Sequence, residues 1–128
     1  MLAKQKVRPQ MQQRTEQQCL ETVRAALDKP ADFPQHMIAS ELMRLGDLLI
    51  RKNADYGCSA WQEPLLRGGI SPRDAILVRM SDKVMRLHSL MKSGASAQVN
   101  ESIEDTIRDL QGYCLLWLAC PASGVESL

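Results

Sequence analysis

Apolar residues recur at three- and four-residue spacing along most of this chain, which is the spacing of one buried helix face. Prolines, glycines and capping residues interrupt the pattern at intervals, and no segment shows the alternation typical of a strand. The pattern predicts one short helix followed by three long ones, over residues 15–28, 34–53, 72–92 and 100–119. We therefore expect an all-α fold, a small helical bundle.

The same spacing predicts which side of each long helix is buried. Ser71 and Asn100 are expected to cap the third and last helices, and Trp61 is expected to anchor the loop before the third helix. The predicted buried positions are Ile38, Leu42, Leu45 and Leu49 in the second helix, Ile76, Met80, Val84, Leu87 and Met91 in the third, and Ile103, Ile107, Leu110, Cys114 and Trp117 in the last.

The third predicted helix carries a narrow charged strip with apolar residues on both sides. At 100° per residue, Val78 and Met85 lie nearly opposite the main apolar face. Between the two apolar sides lie Arg79, Asp82, Lys83 and Arg86. Such a strip is expected where neighbouring elements cover a helix on two sides, so that its charges line a groove. Alternatively, the charges form ordinary surface pairs at three- and four-residue spacing, and the extra apolar residues are scattered surface positions.

The last predicted helix carries Glu101, Asp105 and Asp109 at four-residue spacing, away from its apolar face. One interpretation is a solvated face whose negative charge complements the helix dipole. The other is that carboxylates from two helices hold Mg²⁺, which prefers oxygen ligands and can bridge a protein to phosphate. In that case basic side chains from the second and third helices would contact the phosphates, namely Lys52, Lys83 and Arg86.

Composition limits the remaining possibilities. A chain of 128 residues suits one domain, which we expect at 15–120, between a flexible basic arm at 1–14 and a tail at 121–128. The net charge of +1 gives no global field for nucleic acid or membranes. Neither a signal peptide nor an apolar stretch of membrane-spanning length is evident, so we expect a cytoplasmic location and no membrane partner.

The sequence lacks the residue patterns of several common catalytic and binding sites. The stretch "RGGIS" has neither the spacing nor the following lysine of a phosphate-binding glycine loop. The four cysteines show no CxxC pair, and Cys58 has no histidine nearby in sequence to activate it. His36 and His88 are isolated from each other, so surface or capping roles are expected for both.

Three motifs nevertheless give the chain a family resemblance. They read "KNADYG", "RMSDKVMRL" and "ESIEDTIRDLQGY", and the resemblance that they and Trp61 carry covers about residues 38–119. Together they resemble the first nucleotide modification associated domain. The resemblance implies an all-α domain of bacteria and phages, associated by genomic context with enzymes that make or process modified nucleotides and DNA bases. The matching positions are Glu41, Lys52, Asp55, Tyr56, Gly57, Trp61, Arg79, Asp82, Lys83, Arg86, Glu101, Asp105, Asp109 and Tyr113.

The layout is also similar, more distantly, to the MazG-type all-α nucleoside triphosphate pyrophosphatases. Those enzymes carry an E-x-x-E pair on one helix and an E-x-x-D pair on the next. Here Glu41 is followed three residues later by Arg44, and the E-x-x-E pair is Glu101 with Glu104 on the last helix. This departure weakens the case for metal-dependent hydrolysis and leaves phosphate binding open.

We therefore expect a groove between helices that binds a nucleotide or modified nucleotide, in a domain that partners nucleotide- or DNA-modifying enzymes. If the protein is an enzyme, we expect an Mg²⁺-dependent nucleotide pyrophosphohydrolase. The predicted phosphate- or substrate-binding residues are Lys52, Tyr56, Trp61, Arg79, Lys83 and Arg86, and the predicted metal ligands are Glu41, Asp82, Asp105 and Asp109.

The alternative is a non-catalytic structural or protein-interaction domain. Its charged strip would then be an ion-pair network or a docking surface. We also expect a homodimer, because Val78, Met85, Leu116 and Trp117 would otherwise leave apolar surface exposed.

Overall fold

A computed structural model describes residues 13–93 and 102–121, and the regular structure within those ranges is entirely helical. Within these ranges the chain forms four α-helices, α1 (Glu16–Leu27), α2 (Pro34–Tyr56), α3 (Pro72–Ser93) and α4 (Ile103–Ala119), with a short 3₁₀ helix (Ser59–Trp61) after α2. The predicted all-α class is confirmed. The N-terminal arm and C-terminal tail lie largely outside the described ranges, and Glu101 lies wholly outside them. In the described part of the chain, no helix has both the length and the apolar character needed to cross a membrane.

Hydrogen-bonding side chains define the starts of three helices. Thr15 and Ser102 each form a reciprocal capping box with the residue three positions later, at the starts of α1 and α4. The Asp74 backbone N–H donates to Ser71 Oγ at 3.1 Å, which confirms Ser71 as the cap of α3. Asn100 was the predicted cap of the last helix and lies outside the described residues; the cap is Ser102, since its hydroxyl reaches the third N–H of α4.

The chain forms two compact units, residues 1–44 and 45–128, and the division falls within α2. In the first unit, His36 Nδ1 donates to the carbonyl oxygens of Leu27 at 3.1 Å and Lys29 at 2.9 Å. The imidazole thus satisfies carbonyls at and just beyond the end of α1, which confirms the expected capping role of His36. The prediction of one domain over residues 15–120 stays a prediction.

The second unit is built around the packing of α3 against α4, with the 3₁₀ helix also resting on α3. Ile76 and Thr106 are fully buried in it. Trp61 Nε1 donates to the carbonyl oxygen of Leu116 at 3.0 Å, so the indole ties the 3₁₀ helix to α4 and confirms the expected anchor. The Arg73 guanidinium lies 4.4 Å from the centre of the Trp117 ring, which joins the start of α3 to the end of α4.

Many of the apolar positions are not covered by the chain itself. Ile38 and Leu42 were predicted to be buried and are exposed, as are other members of the predicted faces, Val84, Met91, Ile103, Ile107 and Cys114. The prediction was wrong there because helical spacing shows which face is apolar and not what covers it. Val78 and Met85 are exposed as expected, whereas Leu116 and Trp117 are half-buried through their contacts with Trp61 and Arg73.

Candidate functional site

A cavity of about 280 Å³ lies in the second unit, between the C-terminal half of α2, the 3₁₀ helix, α3 and α4. We call it the polar cavity. At Gly112 of α4, an added Cβ would lie 3.6 Å from Leu49 Cδ2, an ordinary van der Waals distance, so the Leu49 side chain of α2 lies against α4 at this wall. The polar cavity is lined by Leu45, Leu48, Leu49, Lys52, Asn53, Tyr56, Cys58, Ser59, Ala60, Arg79, Arg108, Asp109, Gly112, Tyr113 and Leu116.

The "KNADYG" motif forms one wall of this cavity and the turn that follows it. Gly57 and Cys58 both have positive φ, 59° and 62°, which ends α2 sharply. Asn53 holds this turn twice, because its carbonyl oxygen accepts the Cys58 N–H at 3.4 Å and its side-chain oxygen accepts the Cys58 thiol at 3.1 Å. The turn places Cys58 and Ser59 in the lining beside Lys52 and Asn53.

The lining carries more positive than negative charge. Among the described residues, three cationic side chains line the cavity, Lys52, Arg79 and Arg108, together with one acidic side chain, Asp109. Asp109 Oδ2 lies 3.0 Å from Lys83 Nζ, and Arg108 Nη2 lies 2.8 Å from Glu104 Oε1, so each of these two lining charges is offset by a partner. Lys52 and Arg79 then leave the lining with a net positive charge. The polar cavity is therefore suited to an anionic ligand.

Comparison with known proteins gives one match. The family profile described as nucleotide modification associated domain 1 matches residues 52–119, more than half of the chain. The chain belongs to this family. Searches of curated proteins and of solved structures found no match. The more distant similarity to MazG-type pyrophosphatases therefore stays a prediction.

Within this member of the nucleotide modification associated domain family, the structure brings several predicted binding residues together. Lys52, Tyr56 and Arg79 line the polar cavity, and Lys83 adjoins it through Asp109. Trp61 lies on the other side of Leu116, where it anchors the 3₁₀ helix. Arg86 lies on α3 outside the cavity lining.

The predicted metal ligands are not gathered at one point. Asp109 lines the polar cavity, whereas Asp105 caps α4, where its carboxylate accepts the Ser102 N–H at 3.3 Å. Asp82 is exposed on α3 outside the lining. Glu41 belongs to the first unit, where its carboxylate lies 3.6 Å from Arg44.

Over the ranges that the structure describes, no group of three or more histidine, cysteine, aspartate or glutamate side chains is arranged to hold a metal ion. The carboxylates nearest the cavity are also engaged, Asp109 with Lys83 and Asp105 with the start of its own helix. This donor set does not fit a magnesium site within one chain, and no chemical step is assigned to a metal here. Magnesium binding stays a prediction.

Sequence reasoning missed three polar residues of the lining, Asn53, Ser59 and Arg108. Asn53 follows Lys52 in the "KNADYG" motif, but its role depends on a backbone turn that spacing alone does not reveal. Arg108 lies four residues after Glu104, and its Nη2 is 2.8 Å from that carboxylate. Such a pair is typical of any solvated helix face, so the spacing does not indicate that Arg108 lines a cavity.

A second hollow lies behind the polar cavity, also within the second unit. It has a volume of about 330 Å³ and a nearly entirely apolar lining. Leu49, Asn53 and Leu116 line both hollows and so form the wall between them. We call this hollow the apolar groove, and its remaining lining residues are Ile50, Trp61, Leu115 and Ala119.

Proposed function

We propose that the polar cavity binds a nucleotide or modified nucleotide, with its phosphate at the cationic side chains and its base against the tyrosines. The observation that carries this proposal is the convergence of Lys52, Arg79 and Arg108 on one cavity. Among the described lining residues the single acidic side chain, Asp109, is paired with Lys83, and Arg108 also contacts Glu104. Membership of a family named for nucleotide modification supports the same class of ligand.

The cationic side chains suit phosphate in complementary ways. A guanidinium presents a planar fork of N–H donors that matches two phosphate oxygens, whereas an ammonium group acts as a compact point charge. Arg79 comes from α3, Arg108 from α4 and Lys52 from α2, so the three approach the cavity from different helices. A ligand held in this way would be contacted from several sides. These contacts would fix its orientation and also neutralise its negative charge.

The tyrosines supply the surface for a base. Tyr56 and Tyr113 both line the cavity, and aromatic rings stack on nucleobases with little preference among them. Asn53 and Ser59 add amide and hydroxyl groups that can hydrogen-bond to a base edge or a sugar. A volume of about 280 Å³ is close to the lower end of ligand pockets, which favours a mononucleotide over an oligonucleotide.

The test is calorimetric titration of the full chain with nucleoside mono-, di- and triphosphates, including modified pyrimidines, with and without Mg²⁺. Lys52→Ala and Arg79→Ala are each expected to weaken binding by roughly 10- to 100-fold, as expected for loss of a charged hydrogen bond. Arg51→Ala and Lys92→Ala remove cations from the same helices outside the cavity and should leave the affinity within about twofold. Equal losses in all four variants, or no binding by the wild-type protein, would refute the proposal.

Hydrolysis is a separate question from binding. Metal-dependent hydrolysis of a bound nucleoside triphosphate to a monophosphate and pyrophosphate would make the protein a pyrophosphohydrolase, and the same titrations repeated with product analysis would detect it. Without product, the domain acts by binding alone, and a nucleotide- or DNA-modifying enzyme is then the partner class that its family membership favours.

A structural role is the second candidate, and one observation favours it. The Lys83–Asp109 ion pair joins α3 to α4 at 3.0 Å, so part of the charged strip holds helices together. If the strip acts only in this way, its variants should change unfolding, and no nucleotide should shift the unfolding temperature.

A further inference from the structure

A turn at residues 64–67 presents two leucines at its tip. The Arg67 N–H donates to the Pro64 carbonyl at 3.3 Å, which places Leu65 and Leu66 at the two central positions. Both leucines are 99% exposed. Polar residues, glycine and proline normally occupy such positions, so two adjacent leucines there are unusual for a surface facing only water. We call this feature the leucine turn.

The leucine turn is held in place by its own neighbours. Glu63 Oε1 accepts the backbone N–H of Gly69, which closes the loop beyond the turn. Gly69 has a φ of 79°, a left-handed conformation that glycine adopts without strain. The leucines therefore project from a braced loop, and burying them would cost little further ordering of the backbone.

The apolar groove is the complementary feature on the same unit. Its lining is aliphatic apart from Asn53 and Trp61, and several apolar side chains at or beside it are exposed. Ile50 is 73% exposed and Leu118, beyond the groove on α4, is 71% exposed. The surface therefore carries both a projecting pair of leucines and a hollow that can receive apolar side chains.

We infer that this protein self-associates as a two-fold dimer in which the leucine turn of each copy enters the apolar groove of the other. A two-fold interface uses the same patch on both copies, so a chain that carries both a projection and its receptor can satisfy both at once. Trp61 lines the groove only four residues before Leu65, so the two features are at most about 14 Å apart along the chain. A two-fold axis between them would bring each turn to the opposite groove.

A second copy suits this surface better than water does, because moving each exposed leucine from solvent into an apolar contact lowers the free energy. In a two-fold dimer every such contact also occurs twice. The apolar groove is nearly devoid of polar lining, which argues against a charged or strongly polar occupant. This inference is independent of the nucleotide proposal, because it concerns dimerisation in the absence of ligand.

The test is sedimentation equilibrium of the full chain over a wide concentration range, without nucleotide. We expect a reversible dimer. The double variant Leu65→Asp/Leu66→Asp and the groove variant Ile50→Asp should each weaken association by at least about 100-fold, since charge would have to enter an apolar contact. Met85→Asp changes an apolar residue on α3 whose exposed fraction, 68%, is close to the 73% of Ile50, and it should not weaken association.

Mixing the two interface variants gives a sharper result. A heterodimer of the turn variant and the groove variant keeps one intact turn facing one intact groove, so association should partly recover on mixing. Circular dichroism of each variant confirms that it is folded. The inference is overturned if the wild-type protein stays monomeric. That result is expected if the natural occupant of the groove is the protein's own tail, another protein or a lipid surface. A dimer that dissociates with Met85→Asp and survives both interface variants also overturns it.

Discussion

Replacing Asp109 with asparagine is expected to destabilise the protein while strengthening the proposed binding of nucleotides. Asp109 pairs with Lys83 across α3 and α4 at 3.0 Å, and their side chains are 46% and 19% exposed, respectively. Exposed pairs contribute about 0.2–1 kcal/mol, whereas breaking a buried pair costs about 3–5 kcal/mol. The intermediate exposure here gives an expected loss of about 1–2 kcal/mol, measured by urea unfolding at neutral pH.

The effect on binding has the opposite sign. Asp109→Asn removes the single acidic side chain among the described lining residues of the polar cavity and releases the Lys83 ammonium group. At a separation of about 8 Å in a partly hydrated site, the electrostatic interaction energy between one unit charge and a phosphate is roughly 0.5–2 kcal/mol. We therefore expect a Kd for a nucleotide that is lower by about twofold to thirtyfold, measured by calorimetry.

The two residues of the pair should differ in a defined way. Lys83→Met leaves a half-exposed carboxylate that water can hydrate, whereas Asp109→Asn leaves an ammonium group with less access to water. Asp109→Asn should therefore cost more stability than Lys83→Met. Asp47→Asn is the matched control, because Asp47 pairs with Arg51 on an open helix face and should cost less than about 0.5 kcal/mol.

Two results would refute this reasoning. If both variants of the pair unfold as the wild-type protein does, the ion pair contributes nothing to stability. If Asp109→Asn abolishes nucleotide binding, and the wild-type protein binds only with Mg²⁺, Asp109 acts as a metal ligand and the magnesium prediction is supported instead.

Two further predictions concern the backbone. Gly57→Ala should destabilise the protein by roughly 1 kcal/mol, because the φ of 59° suits glycine, whereas Gly46→Ala within α2 should stabilise it by about 0.5–1 kcal/mol, since nothing lies within 4 Å of the added methyl group. Chemical unfolding measures both, and a shift of the same sign in both variants would contradict the conformational argument. Ser102→Ala should cost about 0.5–2 kcal/mol through loss of the α4 cap; an unchanged unfolding midpoint would show that the cap is dispensable.

Helix positions could be predicted because their signals are local. Ser71 ends one loop and caps α3 by the hydrogen bond that its position in the sequence predicts. Burial could not be predicted in the same way, because Ile38 lies on an apolar helix face that leaves it 70% exposed. An apolar face indicates that something packs there, and spacing does not say whether the chain or another molecule provides it.

The candidate site was predictable in part for a related reason. The motifs placed Lys52, Tyr56, Arg79 and Asp109 in one set, and these four line the same cavity. Asp105 was grouped with them by its four-residue spacing. A carboxylate in the first turn of a helix can instead cap that helix, and Asp105 does so by accepting the Ser102 N–H. Spacing cannot separate these two roles.

The charged strip of α3 now has a physical account for two of its members. Arg79 reaches the polar cavity, and one turn later Lys83 reaches Asp109, which lines the same cavity from α4. On one flank of the strip Ile76 is fully buried in the unit where α3 packs against α4, and on the other flank Val78 is exposed. Each family motif thus contributes side chains to the cavity and also a contact that holds its helix in place. Asn53 hydrogen-bonds within the turn after α2, and Lys83 on α3 pairs with Asp109 on α4. This pairing is expected of a binding site assembled from separate helices, since a ligand can be recognised only if the helices carrying its contacts are held in register.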